Sequence, residues 1–381
     1  MQTASLQTTP RVHWEHLVTE LGPSFAQRSD YYDQTNLFVQ ENYNQLKAHR
    51  AFALLVPEAL GGEGLGYADT CGVVRGLAHY CSATALAFSM HQHLVAANAW
   101  RYKRGQPAEP FLRKVAAEQP VLVSTGAGDW LSSGGLMEKA DGGYRVTARK
   151  PFASQAPAGD ILVTSARYQD PEKGALVLHF PVSFKAEGVT IHNDWDTLGM
   201  RGTGSHTVEL KRVFVPESAV TLVRPQGEFH PFWNAVLSVA MPLILSAYVG
   251  IAEKAAQIAT AHARKGPHTP YLLGEMHNHL TNAQVLWGDM VRLVNEFDFA
   301  PLDSQGNAIL VRKTLVANAC IATVHKAMEA VGGRSLFRKA ELERLFRDVQ
   351  GAPFHPLPEK TQHYFTGNLL QHGHFPADAG E

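Results

Sequence analysis

At 381 residues the chain exceeds the size at which one hydrophobic core stops growing, so two or three domains are expected. Its 45% hydrophobic and 18% charged residues fit an ordinary globular protein, and 34 basic against 35 acidic residues, spread without blocks, exclude the electrostatic footprint of a nucleic-acid or anionic-membrane partner. Three cysteines, Cys71, Cys81 and Cys320, give an odd count with no metal-ligand spacing, which argues against a disulfide framework and fits a reducing compartment.

The opening MQTASLQTTPRVHWEH has no apolar run resembling a signal segment, and no stretch is expected to reach membrane-spanning length, so the expected location is the cytoplasm. From about Val12 to Glu118, apolar residues recur three and four apart, through Phe38 to Phe52 and again from Thr70 to Trp100, which predicts helices. VPEALGGEGLGYAD interrupts them with a proline and four glycines, a loop that opens a new helix at Tyr67 or Asp69. The Ala- and Ser-rich ALAFSMHQHLVAANAW predicts close packing of its helix against a neighbour.

From about Pro120 to Pro225 the period changes. VLVST, GYRVTARKPFAS, DILVTSARY, GALVLHFPVS, GVTIHND and HTVELKRVFVP are short runs rich in Val, Ile, Thr and aromatics, separated by turns such as ADGG and QDPEKG. No helical stretch between them is long enough for a parallel crossover, so an antiparallel sandwich or barrel is expected. From Glu228 onward three long helical patterns return, ending near AVGG, as in a four-helix bundle. The fold class is therefore α+β, with domains expected at 1–118, 119–227 and 228–381.

Common chemical signatures are missing. GGEGLG does not fit GxGxxG and follows no strand, and no GxxxxGK, GxSxG or HExxH occurs, which argues against nicotinamide Rossmann, P-loop and common hydrolase chemistry. His91 and His93 stand two apart on a predicted helix, on opposed faces, and cannot share one metal; His277 and His279 fail likewise. No metal site is expected.

Four segments in fixed order carry a resemblance. STGAGDWLSSGG, from Ser124 to Gly135, looks like a TEPxAGSD loop, and RKPFASQAPAGD resembles a TKxWITNA strand. LGMRGTGSHTVELKRVFVP is similar to LGxRGSxTxxxxFxxVxVP, and AVGGRSLFRKAELERLFRDV, from Ala330 to Val349, resembles xxGGxGxxxxxxxERxxRDA. With the helix, sheet, helix order, this set resembles the acyl-CoA dehydrogenase superfamily of flavoproteins, including its monooxygenase branch.

The resemblance implies an N-terminal helical domain, a central antiparallel β domain and a C-terminal four-helix bundle, assembled as a homotetramer or dimer. It implies flavin contacts from Thr125, Gly126 and Ala127, an aromatic cover from Phe152 and a hydroxyl from Ser154. It also places Arg264 toward the cofactor of a neighbouring subunit, with Gly332 and Gly333 allowing backbone to approach a phosphate or adenine. Asp129, Ser132 and Arg201 fall on the substrate side, although Arg201 also suits a brace at the domain boundary.

Two activities are implied. The first is a dehydrogenase of the acyl-CoA type, holding FAD and passing electrons to an electron-transfer flavoprotein. That reaction needs a carboxylate base for an α proton, but Pro356 occupies its usual place, leaving Glu359 three residues on as the substitute. The alternative is a two-component monooxygenase that takes reduced FMN or FAD from a flavin reductase and oxygenates a small aromatic, sulfur or nitrogen compound. There His355 falls where that branch carries a histidine, with His91 or His93 as a second imidazole. A non-catalytic role on the same scaffold is the third possibility.

Overall fold

The computed structural model describes residues 10–125 and 132–376. Five helices open the chain: α1 (Pro10–Thr35), α2 (Gln40–Ala48), α3 (Tyr67–Ala78), α4 (Ser82–Lys103) and α5 (Glu109–Glu118). The Ala- and Ser-rich α4 is buried on nearly every side from Ser82 to Trp100, as expected of a helix that is apolar all round.

The middle of the chain forms β1 (Leu122–Ser124), β2 (Leu136–Ala140), β3 (Gly143–Lys150), β4 (Ile161–Asp170), β5 (Gly174–Ser183), β6 (Val189–Ile191), β7 (Val208–Pro216) and β8 (Leu222–Pro225). They make one sheet in the order β6-β7-β3-β2-β4-β5-β8, with β1 also on β4. Its core is the inward set Val146, Leu162, Leu178, Phe180, Val208, Leu210, Val213 and Val215. The expected all-antiparallel arrangement is corrected: β1 and β2 both run parallel to β4, pairing at Ile161 to Val163 and at Arg167 to Tyr168. A helix-free crossover is possible because the β2–β3 hairpin, rather than a helix, fills the return. Both strands therefore lie end to end on one edge of β4.

The C-terminal region packs α6 (Phe232–His262), α7 (Thr269–Val294), α8 (Asp303–Val331) and α10 (Glu359–His372) together, with the short α9 (Glu341–Val349) against α8 and α6. The expectation about membrane-spanning length is also corrected, since α6 and Asp303–Leu336 are long and apolar enough to cross a bilayer. In α6, however, 94% of the apolar window is buried inside the protein, where it forms the bundle core.

Polar contacts weld the three regions. The Arg347 guanidinium of α9 donates two bonds to Asp33 of α1, at 2.8 and 2.6 Å, and one to the Leu198 carbonyl at 3.0 Å. Beside it the buried Asp348 accepts from the Met200 N–H at 2.6 Å and from the Ser82 hydroxyl of α4. The glycine-spaced LGMRG turn is thus the corner where α1, α4, α9 and the sheet meet. Arg201 within it pairs with Asp196 at 3.1 Å and lines a cleft of about 340 Å³ with Asp30, Asp33, Gln34, Arg338, Arg344 and Arg347. That cleft contains no other predicted site residue, so the substrate-side reading of Arg201 gives way to the brace at the domain boundary.

Candidate active site

After α9 the chain turns through Ala352–Phe354 and presents His355 between α6 and α8. Its Nε2 lies 2.7 Å from the hydroxyl of Tyr248 on α6. Gly351 makes this possible, because a Cβ there would stand 2.7 Å from the same hydroxyl oxygen. Lys313 of α8 holds the loop from behind: its buried ammonium donates to the carbonyls of Pro353 and Leu357, two residues on either side of His355, at 3.1 and 3.0 Å. His355 is part-buried, between α6 and α8.

The electrostatics make His355 a neutral imidazole. Burial pushes its pKa down to about 3, and the charges of Lys313 and His93 act in the same direction. His93 of α4 is close enough for its charge to reach His355, is itself buried, and is pushed down to about 4 by burial. The Ser89 carbonyl one turn back on α4 acts on the ring in the opposite direction to burial, and Nδ1 makes no hydrogen bond of good geometry among the described residues.

His91 does not join this pair. Its Nε2 bonds to the Phe52 carbonyl at 2.7 Å, which fixes the proton there, and its Nδ1 accepts from the Leu122 N–H at 3.2 Å. Both nitrogens are used to tie α4 to β1, so the expectation of a reactive His91 is corrected to a structural one. Glu359 is also corrected: it begins α10 at the surface, with its carboxylate on Asn318 at 3.4 Å and on Lys360 at 3.4 Å, and no contact places it at His355.

A second wall comes from the β domain. Phe152 follows β3 with φ at +59°, remains 64% exposed, and meets Trp195 edge to face at 6.0 Å. An aromatic left bare in a strained backbone conformation suits a ligand platform. Behind it, Ser154 and Ser205 hydroxyls are 2.8 Å apart, and Ser205 and Thr203 2.7 Å apart. The next residue, Gln155, accepts from Tyr43 and donates to the Leu122 carbonyl, both in the buried layer that also holds His91. Met200 is bound to Asp348, seven residues before His355. The Phe152 wall and the His93–His355 wall are thereby fixed to one junction.

Thr125 accepts from Thr164 at 3.4 Å at the sheet edge, and Ser132 stands exposed before β2. Gly126, Ala127 and Asp129 lie outside the described residues. Where α8 ends, Arg264 and Gly332 come together: Gly332 has φ at +76°, and a Cβ on it would stand 2.6 Å from Arg264 Cδ, so the guanidinium lies across bare backbone. Gly333 leaves open space beside them.

Models of the acyl-CoA dehydrogenase N-terminal and C-terminal domains match residues 20–119 and 243–358, together more than half of the chain. The chain belongs to the acyl-CoA dehydrogenase family. It is a flavin-dependent oxidoreductase built on that family's fold. Isobutylamine N-hydroxylase of Streptomyces viridifaciens is 28% identical over 85% of this chain and 89% of its own. L-prolyl-[peptidyl-carrier protein] dehydrogenase of Pseudomonas fluorescens is 24% identical over 84% and 87%. KijD3, solved with FMN and a dTDP-linked amino-keto sugar, superposes with a TM-score of 0.86 at 22% identity over 97% and 95%.

The residues of this acyl-CoA dehydrogenase-family chain fit a flavin. The exposed Phe152 offers an apolar face, and the Arg264–Gly332 cradle a cation over bare backbone. Sequence reasoning missed Tyr248, Lys313, Thr203 and Ser205. For Lys313 a signal existed: it stands four residues after Ile309 and four before Ala317, on the buried face of α8, where a charge is anomalous.

Proposed function

We propose that this chain is a reduced-flavin monooxygenase, using FMN supplied in reduced form by a separate flavin reductase. The observation that carries this reading is His355. The groups acting on it are Tyr248, Lys313 and His93, none of them a carboxylate, and with a pKa near 3 it is a weak base. Abstracting an α proton calls for a base whose pKa lies near the working pH. A neutral, fixed imidazole is suited instead to hydrogen-bonding. Support also comes from the relative named as an N-hydroxylase and from the FMN bound in KijD3.

When bound, the reduced flavin supplies two electrons to dioxygen, one oxygen atom passing to the substrate and the other leaving as water. The chain's residues prepare that site. His355 and His93 are held as neutral imidazoles, each able to donate at one ring nitrogen and accept at the other. Tyr248 fixes the His355 ring, Lys313 fixes its loop, and Phe152 with Trp195 closes an apolar side against water. FMN takes the place of the expected FAD, and the reductase replaces electron-transfer flavoprotein as partner. An amine-bearing small molecule, the class in the N-hydroxylase relative's name, is the substrate to try first. Exposed Leu336 and Phe337 beside the Arg264–Gly332 cradle suit the homotetramer this reading retains.

The test sets His355→Ala beside Glu359→Gln, with reduced FMN supplied chemically in air and both product and hydrogen peroxide measured. His355→Ala lowers product formation by about 10²- to 10⁴-fold while peroxide release continues. Glu359→Gln stays within twofold of the parent. The reverse pattern sinks the assignment.

A further inference from the structure

Tyr248 and His355 share one hydrogen bond, and only one direction of it leaves no hydrogen stranded. Tyr248 has no exposed surface, and among the described residues His355 Nε2, 2.7 Å away, is the sole hydrogen-bond partner of its hydroxyl. The hydroxyl carries one hydrogen, and a neutral imidazole carries one on either Nδ1 or Nε2. With the ring hydrogen on Nε2, that nitrogen would donate to the hydroxyl oxygen and the hydroxyl's own hydrogen would stay buried with no acceptor, the costly outcome for a buried donor. With the ring hydrogen on Nδ1, the hydroxyl donates to the Nε2 lone pair. His355 Nδ1 makes no bond to the described residues and is not enclosed, so a hydrogen there can be met by water or a ligand.

The surroundings hold that contact in place. Gly351 leaves room for the hydroxyl, since a Cβ there would stand 2.7 Å from its oxygen, and its φ of −70° is open to any residue, so the glycine serves the space rather than the turn. Lys313 holds the backbone on both sides of His355 through the Pro353 and Leu357 carbonyls. The hydroxyl keeps its hydrogen, because burial raises the Tyr248 pKa well above its ordinary value and Asp348 acts in the same direction. Lys313 of α8 and His93 of α4 act on the His355 ring by charge, and neither is hydrogen-bonded to it.

We propose that Tyr248 is a positioning residue that fixes His355 in the tautomer with its hydrogen on Nδ1, so that the site offers its reactants a hydrogen-bond donor there and no base. The one lone pair of the ring is occupied by the buried hydroxyl. The tautomer follows from the two side chains alone, whereas its use in oxygen transfer rests on the monooxygenase reading above.

The experiment is NMR of the full chain carrying ¹⁵N-labelled histidine at pH 7.5, with His355 identified by the signals lost in His355→Gln. Couplings of the two ring nitrogens to the carbon-bound ring hydrogens show which nitrogen is protonated. The wild type shows hydrogen on Nδ1. Tyr248→Phe, with its thermal midpoint read alongside, raises the share of the Nε2–H form relative to Nδ1–H by about two- to tenfold, the worth of one hydrogen bond. With reduced FMN and small amines in air, the same variant lowers product formed per FMN oxidised by about two- to tenfold, with KM for the amine within twofold of wild type. A wild-type His355 protonated on Nε2 overturns the proposal, and that spectrum decides even where Tyr248→Phe does not fold. A folded Tyr248→Phe chain with an unchanged tautomer overturns it as well. A shifted tautomer with unchanged product yield overturns the role in oxygen transfer. A wild type that yields no oxygenated product sinks the monooxygenase reading, while the spectrum still decides the tautomer.

Discussion

Acidification from pH 7.5 to pH 5.0 should weaken the fold through its buried neutral histidines. His91 is fully buried with its pKa pushed down to about 3, and His93 is 7% exposed and pushed down to about 4, burial being the main cause in each. Both values lie below the 6.5 of an unfolded histidine, so the unfolded chain takes up protons first as pH falls. The stability is fully present above pH 6.5 and is lost toward the folded values at about 1.4 kcal/mol per pH unit for each group. At pH 5.0 that is about 2 kcal/mol from each, a sizeable part of the roughly 5–15 kcal/mol typical of a folded protein. The assay is urea unfolding at the two pH values, repeated on His91→Gln. Whatever that substitution costs at pH 7.5, it removes one titrating site, so the difference between the two pH values shrinks by about 2 kcal/mol. An unchanged difference would refute the linkage.

Asp33→Ala leaves the Arg347 guanidinium, 9% exposed, with only Glu343 of its two bidentate carboxylates, and should cost about 1.5–3 kcal/mol in denaturant unfolding. A loss below about 1 kcal/mol would show that Glu343 alone holds Arg347. Lys313→Met removes both bonds that bracket the His355 loop and a cation beside the imidazole. Product formation should fall about ten- to a hundredfold through misplacement, while the His355 pKa, followed by NMR of labelled histidine, rises toward its ordinary value. A His355 titration that does not move would contradict the electrostatic part.

The three-region fold was legible because each region has its own period: three-to-four spacing through α4, alternation along β3, and long helical runs in α6 to α8. The parallel pairing of β1 and β2 with β4 was not, since local pattern carries no strand direction and the crossover uses a hairpin. Within the candidate site, His355 and Phe152 were proposed from motif position. The distinction between His91 and His93 was hidden, because it depends on Phe52 and Leu122, 39 and 31 residues away in sequence. The Ser154–Ser205 contact was hidden for the same reason, since it spans 51 residues. Glu359 looked eligible from spacing alone, and only the start of α10 shows it facing solvent.

The most direct test of the central claim is mass spectrometry of the products formed under ¹⁸O₂ with reduced FMN and a panel of small amines. The account predicts one ¹⁸O atom in the product and no product without oxygen. A product formed anaerobically from an acyl-CoA, lighter by two hydrogens and free of ¹⁸O, would contradict it.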